Sequence, residues 1–380
     1  MAVLSGAVGS QHVLFVRRGV VMLLACVSLC GCFSLGNTRL YEDQLGYSRA
    51  LGEAEKSEAL LNVVRIRYAD TPTFLQATQV ISGYQLQRNV TGGFEAFPNA
   101  SPNNILGGVG NFLSGSASAQ LQQSPTFTFQ PVTGEQFAES FIRPLSPVDL
   151  LPLVMSGMPV DVLFRLCVQS INDLSNAVAL AQTGAAGSSD FFLLVRDLRR
   201  LQIAGLLVVR LRHTAVPAGT HGKSDPGHVY LSIATTRDPE LRPVILEVKQ
   251  LLSMSPGVSE AEIVYGRDPK PGQVAVLTRS ILGVLSQLAI QIDVPPVDIE
   301  RHRTTPTVGN IGLEKRPVVI IHSGTAAPAD AFTSVRYQQT WFWIDNGDFD
   351  SKLAFTVVQI LLALARTANA PGAILTIPAG

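Results

Sequence analysis

Side chains able to do chemistry are sparse in this chain and gather in a few short stretches. His213, His221 and His228 lie close together with Asp225 between them, and three imidazoles with a carboxylate are a possible donor set for zinc. Their spacings are irregular, and the intervening Gly and Pro do not preorganise ligands, so ordinary loop histidines are the preferred reading and no metal is expected. In the same stretch Gly222-Lys223-Ser224 has the ending of a phosphate-binding P-loop. Pro217 stands where that motif needs its first Gly, and Asp225-Pro226-Gly227 follows where a helix should begin. A phosphate there would meet neither a helix dipole nor a cradle of N–H groups, so the stretch reads as a hairpin loop.

His322 and Ser323 close an apolar run, Val318 to Ile321, that reads as a strand, and Gly324 follows. A serine hydrolase needs a nucleophile, a base and an orienting acid, and Asp345, Asp348 or Asp350 could supply the acid. The Gly-x-Ser-x-Gly elbow that exposes such a serine is absent, so strand capping is preferred and an envelope hydrolase is kept as an alternative. No His-Glu-x-x-His helix and no EF-hand loop occurs. Both tryptophans, Trp341 and Trp343, fall on one strand face, and Asp345-Asn346-Gly347-Asp348 after them is turn and N-cap chemistry. They could form an aromatic platform for a glycan or peptide; the apolar strand and helix around them favour a core strand turning into the C-terminal helix. No catalytic, cofactor-binding or metal residue is therefore assigned.

The four cysteines are Cys26, Cys30, Cys32 and Cys167, and the first three share one short N-terminal stretch, which is not how a disulfide framework is distributed. Arg17 and Arg18 precede an apolar run from Val20 to Leu29, too short to span a bilayer, and small residues follow. This is the plan of a secretory signal. The run ends in Leu29-Cys30-Gly31-Cys32, which resembles the lipobox of bacterial lipoprotein precursors. The resemblance implies cleavage after Gly31 and lipidation of Cys32 with a diacylglyceryl group and an N-acyl chain, enough acyl chains for durable anchoring. It also implies sorting by the residue after the cysteine; Phe33, rather than Asp, points to the outer membrane. Loss of residues 1–31 removes two arginines and no acid, and leaves Cys167 as the one cysteine of the folded part, in an apolar helical pattern that suits packing.

Periodicity orders the rest. Residues 32–46 read as a tether, and helical spacing of Leu51, Ala54, Leu61, Val64 and Tyr68 predicts a helix from Tyr47 to Tyr68, stopped by Asp70-Thr71-Pro72. A long strand pair follows, Thr73 to Arg88 and Ala119 to Gln130, around a Gly/Asn/Ser loop at 89–118. Thr133 and Gln136 have capping-box spacing, and Ser146-Pro147 and Met158-Pro159 suggest Pro at first helical positions, so 133–182 reads as a small helical region. Thr183 to Asp190 is the candidate linker, separating residues 47–182 from a domain at 191–380. That domain mixes helices with strands, including strands at 340–344 and 374–377, and predicts an α+β fold with a mixed sheet. The apolar helices near 279–292 and 354–365 read as core. Through Arg67-Tyr68-Ala69-Asp70-Thr71-Pro72, Thr126 to Phe137 and Trp341 to Lys352, the mature part is similar to a group of uncharacterised exported bacterial proteins, which implies a self-contained domain.

With 380 residues, 46% hydrophobic and 15% charged, 29 basic against 29 acidic, the chain is neither disordered nor a nucleic-acid binder by charge. The expectation is a lipid-anchored envelope protein that binds or scaffolds, its partners the membrane through the anchor and an envelope protein or glycan, with no cofactor. The alternatives are an oligomeric outer-membrane assembly, to which the strand pair contributes a β-hairpin, and the hydrolase. Sequence does not set the oligomeric state.

Overall fold

The structure is a computed structural model and describes residues 35–95, 112–176, 187–212 and 227–367. Cys32, Cys26 and Cys30, the strand expected at 374–377, and most of the histidine loop, including His213, His221, Gly222-Lys223-Ser224 and Asp225, lie outside the described residues. The chain divides into two compact units, Met1–Glu55 and Lys56–Gly380. The described part of the first, residues 35–55, is helical.

Helix α1 (Leu35–Arg67) begins well before the expected Tyr47 and takes up most of the expected tether. Leu, Ala, Glu and Arg make up about half of its sequence, and three isolated glycines, each costing about 1 kcal/mol relative to Ala, do not break a helix of this length. It ends as expected: Ala69 takes φ 56° and the Asp70 N–H donates to the Arg65 carbonyl at 2.8 Å, closing a Schellman turn. Buried Asn62 then clamps the outgoing chain, donating to Thr73 O at 2.8 Å and accepting from Thr73 N at 2.9 Å.

Strands β1 (Leu75–Glu95) and β2 (Phe112–Pro131) form an antiparallel ribbon, longer than expected at both strands. Residues 89–95 and 112–118, expected as loop, continue the ladder, with Gly92 opposite Gly115 and Asn89 opposite Ser118; their Gly and Ser content lowers strand propensity without interrupting backbone pairing. At its base Phe74 stacks on Phe141 at 4.1 Å. The expected capping box does not form: Gly134 takes φ 63°, Thr133 makes no side-chain cap, and helix α2 (Gly134–Phe137) runs into a π-turn at Ala138–Ile142. Ser146 does cap α3 (Pro147–Leu150), accepting from the Val148 N–H. Short α4 (Pro152–Met155) leads to α5 (Val160–Cys167), whose first N–H donates to the Gln202 side chain at 3.0 Å.

The fold is α+β, as expected. A mixed sheet of six strands has the order β4 (Leu174–Ser175), β3 (Val168–Ile171), β8 (Gln273–Thr278), β7 (Glu260–Tyr265), β6 (His228–Ile233), β5 (Leu207–Arg212). Only β7 and β8 are parallel. Strands β3 and β4 were not anticipated, and they join the segment before 177–186 to the same sheet and core as the segment after it. Helices α6 (Ser189–Ile203), α8 (Ile281–Ala289) and α10 (Phe349–Thr367) pack against α5, and α7 (Leu241–Leu251) packs against α6. A second sheet of three antiparallel strands has the order β10 (Thr333–Tyr337), β11 (Thr340–Ile344), β9 (His322–Gly324), and the short helix α9 (Pro296–Glu300) precedes it.

Val318 to Ile321, expected as a strand, is not one. Its backbone is satisfied by side chains and loop groups: Val318 N donates to Gln291 Oε1, Ile320 N to Ser351 Oγ, and Ile321 O accepts from Asp293 N. Buried apolar chain needs its amides paired, and isolated partners do this as well as a ladder does. Among the described residues no helix is long and apolar enough to cross a membrane.

Candidate functional site

The residues singled out in the sequence come together only in part. Neighbouring residues on a strand face opposite ways, so His322 and Ser323 cannot act as a base–nucleophile pair. His322 instead stacks on Trp343, ring centres 5.7 Å apart, and the register pairs Ser323 with Phe342 on the other face. The candidate acids are engaged elsewhere. Asp345 Oδ1 accepts from Gly347 N at 2.6 Å, and Arg316 lies 3.5 Å from Asp350. Asp348 caps α10, accepting from Ser351 N at 3.2 Å, from Ser351 Oγ at 2.6 Å and from Arg316. Burial works to raise the Asp348 pKa, but the Ser351 hydroxyl and N–H and the Arg316 guanidinium outweigh it and hold the carboxyl below its ordinary value.

The strand that carries the tryptophans does turn into the C-terminal helix, but its core face is made by Phe342 and Ile344, both fully buried. Trp341 and Trp343 are half-buried on the opposite face, where the register sets Trp343 between His322 and Ser334 and Trp341 between Gly324 and Arg336. A Cβ at Gly324 would stand 3.1 Å from the Trp343 ring, so glycine lets the indole lie flat there. His228, at the start of β6, meets a carboxylate rather than a metal set: its Nδ1 is 2.6 Å from Glu262 Oε1. Gln273 and His228 together hold the Glu262 carboxyl below its usual range. Among the described residues no group of three or more His, Cys, Asp or Glu could hold a metal. Cys167 is fully buried, which pushes its thiol up to about 12 and makes it a packing residue.

What sequence reasoning missed is a cleft of about 360 Å³ where the end of α1, helix α9 and the turn of the β10–β11 hairpin meet. Its aromatic walls are Tyr68 and Tyr337, ring centres 5.3 Å apart. Each phenol is tied to a carboxylate: Tyr68 Oη donates to Asp298 Oδ2 at 2.8 Å, and Tyr337 Oη to Asp70 Oδ2 at 3.1 Å. Arg303 donates to the other oxygen of Asp298 at 3.1 Å, so that buried carboxylate is doubly held. Burial, then the Asp298 bond and charge, raises the Tyr68 phenol far above its ordinary value, and burial and Asp70 raise Tyr337. Both hydroxyls therefore remain protonated donors across the neutral range. Val297, Arg301, Gln338, Gln339 and Thr340 complete the lining, which thus pairs aromatic surface with amide, guanidinium and hydroxyl groups.

No family model, curated protein or solved structure matches the chain.

The cleft is held from below by Arg67. This buried guanidinium donates to Thr305 O at 2.7 Å and to Thr305 Oγ1 at 3.2 Å, while Thr304 Oγ1 donates back to Arg67 O at 2.8 Å. The end of α1 and the chain after α9 are thus buckled together. The Arg67-to-Pro72 segment was legible as distinctive; Asp298, Arg301, Arg303 and Tyr337 to Thr340 carried no local signal, because the cleft joins them across the length of the chain.

Proposed function

We propose that this chain is a lipid-anchored protein of the bacterial envelope, attached through Cys32 in the outer membrane, that binds a hydroxyl-rich ligand of the glycan class in the Tyr68–Tyr337 cleft. The observation that carries the binding role is the pairing of two tyrosine rings with flanking Arg301, Gln338 and Gln339. Sugar rings offer apolar C–H faces to aromatic rings and hydroxyls to amides and guanidinium groups, and this lining meets both needs. The groups that could do acid–base work there are committed to one another, Tyr68 and Arg303 on Asp298 and Tyr337 on Asp70. The anchoring half of the proposal draws on Leu29-Cys30-Gly31-Cys32 and the basic and apolar residues before it. Titration with soluble envelope glycan fragments tests the binding half: Gln339→Ala and Arg301→Ala should each weaken binding about fivefold to tenfold, as loss of one or two hydrogen bonds does. Equal binding by both variants, or no saturable binding by the parent, sinks the glycan assignment.

The ribbon register favours a second reading, an oligomeric assembly. Pairs at alternate positions read Val80–Phe127, Leu86–Leu121, Val90–Ala117 and Phe94–Leu113, and the intervening pairs read Gln79–Thr128, Gln85–Gln122, Gln87–Gln120 and Thr91–Ser116. An alternation of apolar with uncharged polar pairs is a pattern that barrel staves also have. The alternation is uneven: Ser82–Pro125, Tyr84–Gln123, Arg88–Ala119 and Gly92–Gly115 interrupt the first set, and Ile81–Thr126 the second. Mass photometry in detergent decides: a ring of copies supports this reading, and a strict monomer removes it.

A further inference from the structure

A second cleft, of about 290 Å³, opens between α5, α6 and the turn at residues 312–314, and four arginines line it. Arg196, Arg199 and Arg200 recur at helical spacing on α6, and Arg165 sits one turn after Asp161 on α5. The turn approaches α6 closely because Gly312 has φ 75° and no side chain; a Cβ there would stand 3.1 Å from the Phe192 ring. Asp161 and Glu314 also line the cleft, so the arginines outnumber the carboxylates facing them.

The internal ion pairs do not use up this charge. Arg196 and Arg200 both reach one oxygen of fully buried Asp197, at 3.1 and 3.5 Å, each through a single nitrogen. Arg199 Nη1 donates to Gln202, and its Nε lies 3.7 Å from Asp161 Oδ1, beyond hydrogen-bond distance. Arg165 donates one Nη2 bond to Arg316 O. Among the described residues, the buried Arg165 Nε and the buried Asp161 Oδ1 have no hydrogen-bond partner. Neither atom is reached by solvent and Asp161 Oδ1 faces Arg199, so the groups a ligand can meet are the part-exposed guanidinium forks of Arg196, Arg199 and Arg200 on α6.

We propose that this cleft binds a phosphate group. A tetrahedral anion suits donors converging from two helices, where a planar carboxylate would need only one fork. Such a group comes from a small phosphorylated solute or from a phospholipid headgroup.

The test is calorimetric titration of the full chain in neutral detergent and phosphate-free buffer with glycerol 3-phosphate and with dihexanoyl phosphatidylglycerol below its micelle concentration. Saturable one-to-one binding is expected, weakened at least about tenfold in Arg199→Gln and less in Arg199→Lys, since the lysine keeps the charge and loses the fork. Arg336→Gln, on the outer face of the second sheet, should bind as the parent does. Tighter binding of the solute identifies a solute site, and tighter binding of the lipid identifies a headgroup site. Absence of saturable binding by both ligands, or equal affinity in Arg199→Gln with its thermal midpoint unchanged, overturns the proposal.

Discussion

At the residue scale, Arg279 does the most unexpected work. It is buried, and its guanidinium donates to the carbonyls of Leu166 at 3.1 Å, Val168 at 2.6 Å and Asn176 at 2.9 Å. Asn176 Nδ2 donates to Val168 O at 2.6 Å and to Arg165 O at 3.0 Å. Together they satisfy the carbonyls at the C-terminal end of α5, where a cation also complements the helix dipole. Burial lowers the Arg279 pKa to about 10, which leaves it charged at neutral pH. Arg279→Met would orphan several buried carbonyls, and urea unfolding should report a loss of about 3 kcal/mol. Nothing local in Thr278-Arg279-Ser280 announces this, because the acceptors lie more than a hundred positions away. Asp348 makes the opposite case, since its N-cap role was legible from Asp345-Asn346-Gly347-Asp348. Its carboxyl is held below its unfolded value, so its contribution is present above the unfolded pKa near 3.8 and lost as pH falls through the folded one. Asp348→Asn should therefore flatten the acid limb of a plot of thermal midpoint against pH, and an unchanged limb would show that Asp348 does not carry it. Cys167 should resist a thiol reagent in the folded chain and react at once in guanidinium.

At the element scale, strong periodicity and turn chemistry were readable and mutual burial was not. The core helices α8 and α10 and the strand β11 fall close to where apolar spacing puts them. Short strands such as β3 and β10 were missed because four or five residues carry too little pattern to separate them from the end of a helix or from a loop. Val318 to Ile321 was read as a strand on the same pattern, yet Gln291 and Ser351 replaced a ladder partner. The turn at Gly312 is an element whose geometry depends on one residue. Gly312→Ala places a Cβ at positive φ and against Phe192, and a cost of about 1–2 kcal/mol is expected from denaturant midpoints. A midpoint equal to the parent's would mean that the turn can relax away from α6.

At the scale of the whole molecule, the fold brings together two segments that stood out in the sequence. Tyr68 of the Arg67-to-Pro72 segment packs edge-on against Phe342 of the tryptophan strand, ring centres 6.0 Å apart, and the hairpin turn of that strand forms one wall of the tyrosine cleft. Their distinctiveness was visible in residue types; their juxtaposition came only with the packing of α1 against the second sheet. Anchoring is the claim on which the biological setting of both clefts rests. Its most direct test is metabolic labelling of cells with a clickable fatty acid, followed by capture of the full chain. A labelled wild-type protein and an unlabelled Cys32→Ala variant are expected. Label retained in Cys32→Ala, or absent from the wild type, would contradict it.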